Sequence, residues 1–176
     1  DQFGRSVALS GDGNILVAGA ANEDGGASGI DGDQENDSAR DAGAVYVFSR
    51  SGASWSGPTY IKAFNTGAGD AFGQALALSA DGGILAIGAR NEDGGAGVDG
   101  EGETTSKYNS GAVYVYARNG AAWSQLARVK ASNADPSDQF GAAVALSGDG
   151  NTLAAGAPEE GSASTLSCAA GNPDCS

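Results

Sequence analysis

Two runs of alternating carboxylates are the stretches of this 176-residue chain that could do chemistry. Asp31, Asp33, Glu35 and Asp37 stand at every second position, and Asp99, Glu101 and Glu103 repeat the arrangement. Calcium takes roughly six to eight oxygen ligands from flexible loops, and alternate spacing lets a curled loop aim several of them inward. Asn22 and Asp24, with their counterparts Asn91 and Asp93, are placed to complete such a sphere. The competing reading is a solvated, self-repelling loop that keeps the chain soluble. No glycine stands where an EF-hand turn needs one, so spacing alone leaves both readings open.

Paired carboxylates also serve glycosidases, but such a pair works in a cleft with aromatic platforms, and these loops hold a single aromatic, Tyr108. Histidine is absent from the chain, which excludes Ser-His-Asp and Cys-His mechanisms. Catalysis is not expected. Asn36-Asp37-Ser38 is a glycan-acceptor triplet with no counterpart in the second run, and Ser162 to Ser167 is a weaker candidate for O-linked sugar. Cys168 and Cys175 sit close together, with Gly171 and Pro173 between them to turn the chain. No other residue suggests a metal or redox role for them, so a disulfide within one chain, in an extracellular compartment, is the expected arrangement.

The elements that must position these residues repeat. DQFGRSVALSGDGNILVAGA at Asp1 to Ala20 returns as DAFGQALALSADGGILAIGA at Asp70 to Ala89 and as DQFGAAVALSGDGNTLAAGA at Asp138 to Ala157. Phe3 to Phe72 is 69 residues, and Phe72 to Phe140, Tyr46 to Tyr114 and Trp55 to Trp123 are each 68. Each copy reads as two short strands about a turn, in which Ser10-Gly11-Asp12-Gly13-Asn14 tolerates positive φ. An acidic insert follows, Ala21 to Ala42 in the first repeat and Arg90 to Ser110 in the second. A third strand comes next, Gly43 to Phe48 and Gly111 to Tyr116. After a turn at Ser49 to Ala53 the fourth strand runs from Trp55 to Ala63, with Pro58 consigning it to an edge; its copy runs from Trp123 to about Ala131. Four antiparallel strands in a meander make a propeller blade, with the aromatics of strands three and four filling the space between blades. Trp55 and Trp123 fit that packing better than sugar stacking. The organisation is two full repeats, 1–69 and 70–137, and a partial third with a cysteine-containing tail, 138–176.

Thirty glycines and 7% aromatics agree with an all-β, turn-rich fold. No segment has the roughly 20 apolar residues of a membrane span, so membrane insertion is not expected. A net charge of −13 argues against nucleic acid and for solubility and cation binding. The chain begins with Asp rather than Met: either a leader has been removed or it is a piece of something longer.

Phe3-Gly4 followed by Val17-Ala18-Gly19-Ala20, Phe72-Gly73 with Ile87-Gly88-Ala89, and Phe140-Gly141 with Gly156-Ala157-Pro158 resemble FG-GAP repeats, the blade motifs of the integrin α-subunit propeller and of many bacterial secreted proteins. The resemblance spans nearly the whole chain. It implies a seven-bladed type of propeller used for extracellular adhesion and ligand binding, often with calcium. In integrins the calcium loop lies between the Phe-Gly strand and the Gly-Ala-Pro strand; here that connection is Ser-Gly-Asp-Gly, too short to wrap a cation. The family's metal residues therefore do not carry over.

The reading is an all-β chain of about two and a half propeller-like blades. It acts as a non-catalytic extracellular module that self-associates into a fibre or ring, or else is the resolved part of a longer chain. The alternative is an adhesion or ligand-binding domain, for a protein or glycan, cut from a larger closed propeller. Partial blades leave open faces and edges, so a stable monomer is not expected.

Overall fold

A computed structural model describes residues 1–94 and 107–161. Asp99, Glu101, Glu103, Cys168 and Cys175, and the serine-bearing tail, lie outside the described residues. Among the described residues ten strands form three antiparallel sheets. The first is β1 (Phe3–Leu9), β2 (Ile15–Ala20), β3 (Ala44–Ser51) and β4 (Ser54–Ile61), in that order. The second is β5 (Ala75–Leu78), β6 (Ile84–Ala89), β7 (Ala112–Asn119) and β8 (Ala122–Val129). The third pairs β9 (Ala143–Leu146) with β10 (Leu153–Gly156). These are two four-stranded blades and a two-stranded one. No helix among the described residues is long and apolar enough to cross a membrane.

Strand alternation gives each blade two apolar faces, and successive blades share a core. Val17, Val45, Val47 and Ile61 of the first blade form one cluster with Phe72, Leu85, Ile87, Tyr114 and Tyr116 of the second. A second cluster joins Ala86 and Val113 to Phe140, with Val144, Leu146 and Leu153 of the third blade packed against it. The Tyr116 hydroxyl donates 3.0 Å to the Lys62 carbonyl, tying β7 to the segment that follows β4.

Between blades the backbones come closer than any side chain would permit. A Cβ on Gly19 would lie 2.0 Å from the Gly73 carbonyl oxygen, and one on Gly88 would lie 2.1 Å from that of Gly141. Gly43 and Gly111 meet the Phe72 and Phe140 carbonyls in the same way and pair with those residues in parallel bridges. The Phe72 amide donates 3.0 Å to the Ala42 carbonyl, and the Phe140 amide 2.9 Å to that of Ser110. The Phe-Gly dipeptide of each later blade is thus drawn onto the blade before it. For this reason β5 and β9 begin only at Ala75 and Ala143, whereas β1 already begins at Phe3, which pairs with Ala20 of its own sheet. Three near-identical sequences adopt two conformations.

Some strand limits differ from those expected. The turn at Ser49 to Ala53 is only Gly52-Ala53, because Gly52 at φ +61° closes a two-residue hairpin and lets β3 continue to Ser51. β4 and β8 accordingly start one residue before Trp55 and Trp123 and stop two short of Ala63 and Ala131. Pro58 lies on an edge strand, as its missing amide requires. The two tryptophans part company: Trp123 is buried in the shared core at 7% exposure, whereas Trp55 is 46% exposed, so only Trp123 packs between blades.

The close approach sets a testable order among glycines. Gly88→Ala should cost about 2–3 kcal/mol or more in urea unfolding, since the Gly141 carbonyl has to retreat by over an ångström. Gly156→Ala, whose Cβ would meet nothing nearer than Ala143 at 3.7 Å among the described residues, should change the unfolding of the dilute, unassociated chain by less than about 0.5 kcal/mol. Equal losses at both positions would refute the interblade contact.

Candidate functional site

The acidic inserts fold back onto their own blades. In the first, Ile30 makes an antiparallel bridge to Ile61 of β4 and is packed against the core. The Asp31 amide donates 2.8 Å to the Tyr60 carbonyl, while Asp31 Oδ1 accepts 3.0 Å from the Tyr60 amide. Asp24 Oδ1 accepts 2.7 Å from the amide of Asp41, a residue at φ +53°, and Asn22 Nδ2 donates 2.6 Å to Asp41 Oδ1. The second blade repeats the device: Asp93 Oδ1 accepts 2.7 Å from the amide of Asn109, at φ +51°, and Asn91 Nδ2 donates to the Gly69 carbonyl. Asp24 and Asp93 therefore hold the left-handed residue at which each insert ends. Asp33 Oδ1 accepts from the Glu35 amide, and the exposed Asn36 accepts through Oδ1 from the Ser38 amide. Glu35 and Asp37 are exposed. Among the described residues no three acidic side chains are gathered as metal ligands. What the geometry brings together is carboxylate and backbone amide.

Beneath each insert lies a buried carboxylate that the spacing did not reveal. Glu23 Oε1 accepts 2.6 Å from the Tyr60 hydroxyl and 3.2 Å from the Gly25 amide. Burial, and then the Glu23 carboxylate, push the Tyr60 hydroxyl above its ordinary range. In the second blade Glu92 is fully buried and takes Arg128 at 2.7 Å, Lys130, and Asn65 Nδ2 at 3.0 Å. Asn65 comes from the link between the blades and also accepts 2.7 Å from the Tyr114 hydroxyl. Asn133, one repeat later, donates 2.9 Å to Glu160 in the same way. Each link thus plants an amide on the acid four residues after the Gly of the next blade's Gly-Ala, Glu92 or Glu160. Lys62, the counterpart of Lys130, is fully buried and among the described residues its Nζ has no hydrogen-bond partner; burial lowers its pKa to about 8 against the pull of Glu23.

The hairpin turns recur with the same bonds. Asp12 accepts from the Ser10 hydroxyl at 2.6 Å and from the Asn14 amide at 2.9 Å, which hold its carboxyl down at about 2. Ser79 with Asp81, and Ser147 with Asp149, do likewise and lower those carboxyls too. The turns also stack: the Gly11 amide donates 2.7 Å to the Ala80 carbonyl, and the Ala80 amide donates 2.8 Å to that of Gly148.

Among the described residues no blade lies against one face of the first blade. Phe3, Val7 and Leu9 are 59%, 64% and 59% exposed. Their counterparts Phe72, Leu76 and Leu78 pack into the core shared with the first blade. This apolar face exposes residues of the kind that the second blade buries.

A family model for the FG-GAP repeat matches residues 123–170. The match begins in β8 and runs through β9 and β10, and the same succession of fourth strand, Phe-Gly and hairpin leads from β4 into β5 and β6. No curated protein matches the chain.

Two pH dependences follow from these sites. The depressed Asp12, Asp81 and Asp149 carboxyls contribute stability that is present above their ordinary pKa of 3.8 and is lost as pH falls through their lowered folded values, which for Asp12 lies at about 2. Replacing all three by Asn should flatten the melting temperature across that window, and an unaltered slope would assign the acid sensitivity elsewhere. Lys62 has the opposite sign. Between pH 8 and its ordinary 10.5 the unfolded chain holds a proton that the folded chain has released, so stability rises with pH there. Lys62→Met should remove that rise and add on the order of 1–3 kcal/mol at pH 7; a destabilised variant would show that the ammonium is satisfied after all.

Proposed function

We propose that this FG-GAP repeat protein is a non-catalytic, extracellular structural module whose copies associate into a larger fibre or ring. The observation that carries this reading is the bare apolar face of β1, built from the residue types that the second blade buries against its neighbour. An enzyme needs no such face, and the buried acids of the inserts are engaged with buried amines, a phenol and amides rather than turned toward a cleft. The extracellular placement draws on the family match, because FG-GAP repeats are typically extracellular, and on the expected cysteine pair. Assembly works against charge: each copy carries −13, and screening relieves that repulsion over about 10 Å at 0.1 M salt.

Sedimentation velocity at micromolar concentration tests the reading. Species well above 17.1 kDa are expected, growing with protein concentration and with salt. A 17.1 kDa particle at every concentration, with a cooperative melt, would instead favour an adhesion or ligand-binding module working through its exposed inserts.

A further inference from the structure

We propose that copies join by continuing the blade-to-blade contact: β1 of one chain seats on the β9–β10 hairpin of a second copy. This rests on the assembly reading above and specifies its surfaces. Within the chain β5 lies on β1 and β2, and β9 lies on β5 and β6. An innermost strand therefore lies on the first two strands of the blade before it, with its Phe-Gly dipeptide also meeting the segment that leads into the third, and β9 with β10 are those first two strands.

The surfaces correspond residue for residue. Ala143, Ala145 and Ala154 are exposed on the outer side of the β9–β10 hairpin. They occupy the positions of Ala75, Ala77 and Ala86, of which Ala77 and Ala86 pack into the core shared with the third blade. At the second internal contact the small Ala77 and Ala86 receive Val144 and Leu146; at the first the same positions are Ser6, Ala8 and Val17, which face Leu76 and Leu78 of β5. The bare Phe3, Val7 and Leu9 are larger residues of this kind without such a surface among the described residues.

Gly156 supplies an independent reason. Its counterparts Gly19 and Gly88 admit no side chain because the carbonyl of the next Phe-Gly dipeptide lies where a Cβ would be. Gly156 has room for one among the described residues, yet it is glycine. The Gly4 carbonyl of a second copy is the group that would fill that space. The turn bonds give the direction: Gly11 donates to Ala80 and Ala80 to Gly148, so the series continues with the Gly148 amide donating to the Gly11 carbonyl of the next copy. The contact is heterologous, and it generates a polar filament or, if the rotation closes, a ring.

Two variants with one defective end each provide the test. Val7→Asp with Leu9→Asp spoils the β1 face at exposed positions, and Gly156→Val spoils the hairpin face where the chain itself has space. Each alone should sediment as a monomer with wild-type circular dichroism. An equimolar mixture should give a dimer of twice 17.1 kDa and nothing larger, because one sound β1 and one sound hairpin remain per pair. Variants that assemble as the wild type does would overturn this interface and leave the assembly reading standing. No dimer from two variants that keep the wild-type circular dichroism would also overturn it. A monomeric wild type would remove both.

Discussion

The approach of one blade's glycine to the next blade's carbonyl, at a distance where no methyl group fits, is the constraint around which the stack is built. It fixes the spacing between sheets before any side chain is chosen. Gly19 and Gly43 on the first blade, and Gly88 and Gly111 on the second, form a groove for the incoming Phe-Gly backbone. The phenylalanine then reaches into the core, where Phe72 packs edge-on against Tyr114 at 5.3 Å. Backbone contact sets the register and aromatic burial stabilises it. Because every such contact lies between neighbours, the stack behaves as a chain of units coupled in pairs, with a stability that depends on how many neighbours each blade has.

Buried charge follows the same plan with different chemistry in each blade. Glu92 faces two cations and a link amide, whereas Glu23 faces a phenol and a lysine whose Nζ lacks a hydrogen bond among the described residues. The desolvation cost of such groups is regained only with good partners, so ion clusters of this sort specify geometry more than they add stability. Asn65 and Asn133 make the geometry an interblade matter, since each belongs to the link preceding the acid it contacts.

Much of this was legible in the residues. The repeat period, the four-strand order and the edge position of Pro58 follow from glycine, proline and alternation, whose backbone demands are local. The family match over residues 123–170 agrees with the motif resemblance read from Phe-Gly and Gly-Ala. What stayed hidden depends on neighbours rather than on local sequence. Phe3 and Phe72 sit in like sequences, yet one pairs within its own sheet and the other leaves it for the blade before. Trp55 and Trp123 differ for the same reason. Within the acidic inserts, alternate spacing drew attention to the exposed Glu35 and Asp37. Within the run Asp31 and Asp33 do accept backbone amides, but Asp24, Asp93 and the core-packed Ile30, which also have structural tasks, lie outside the alternate spacing. A left-handed residue at the close of each insert, Asp41 or Asn109, was the available clue.

The bridge from Ile30 to Ile61 bears on how the protein avoids sticking to itself the wrong way. An outer strand with its amides bare invites sideways pairing into extended sheets, the route to amyloid. On β4 the far end is occupied by the insert's own backbone, and the middle is interrupted by Pro58 and by a bulge between Val47 and Ser49. Lateral hydrogen bonding is thereby discouraged while the broad surface of the first blade stays bare. The rim of the first blade is thus closed to promiscuous pairing by its own backbone, whatever its broad face meets.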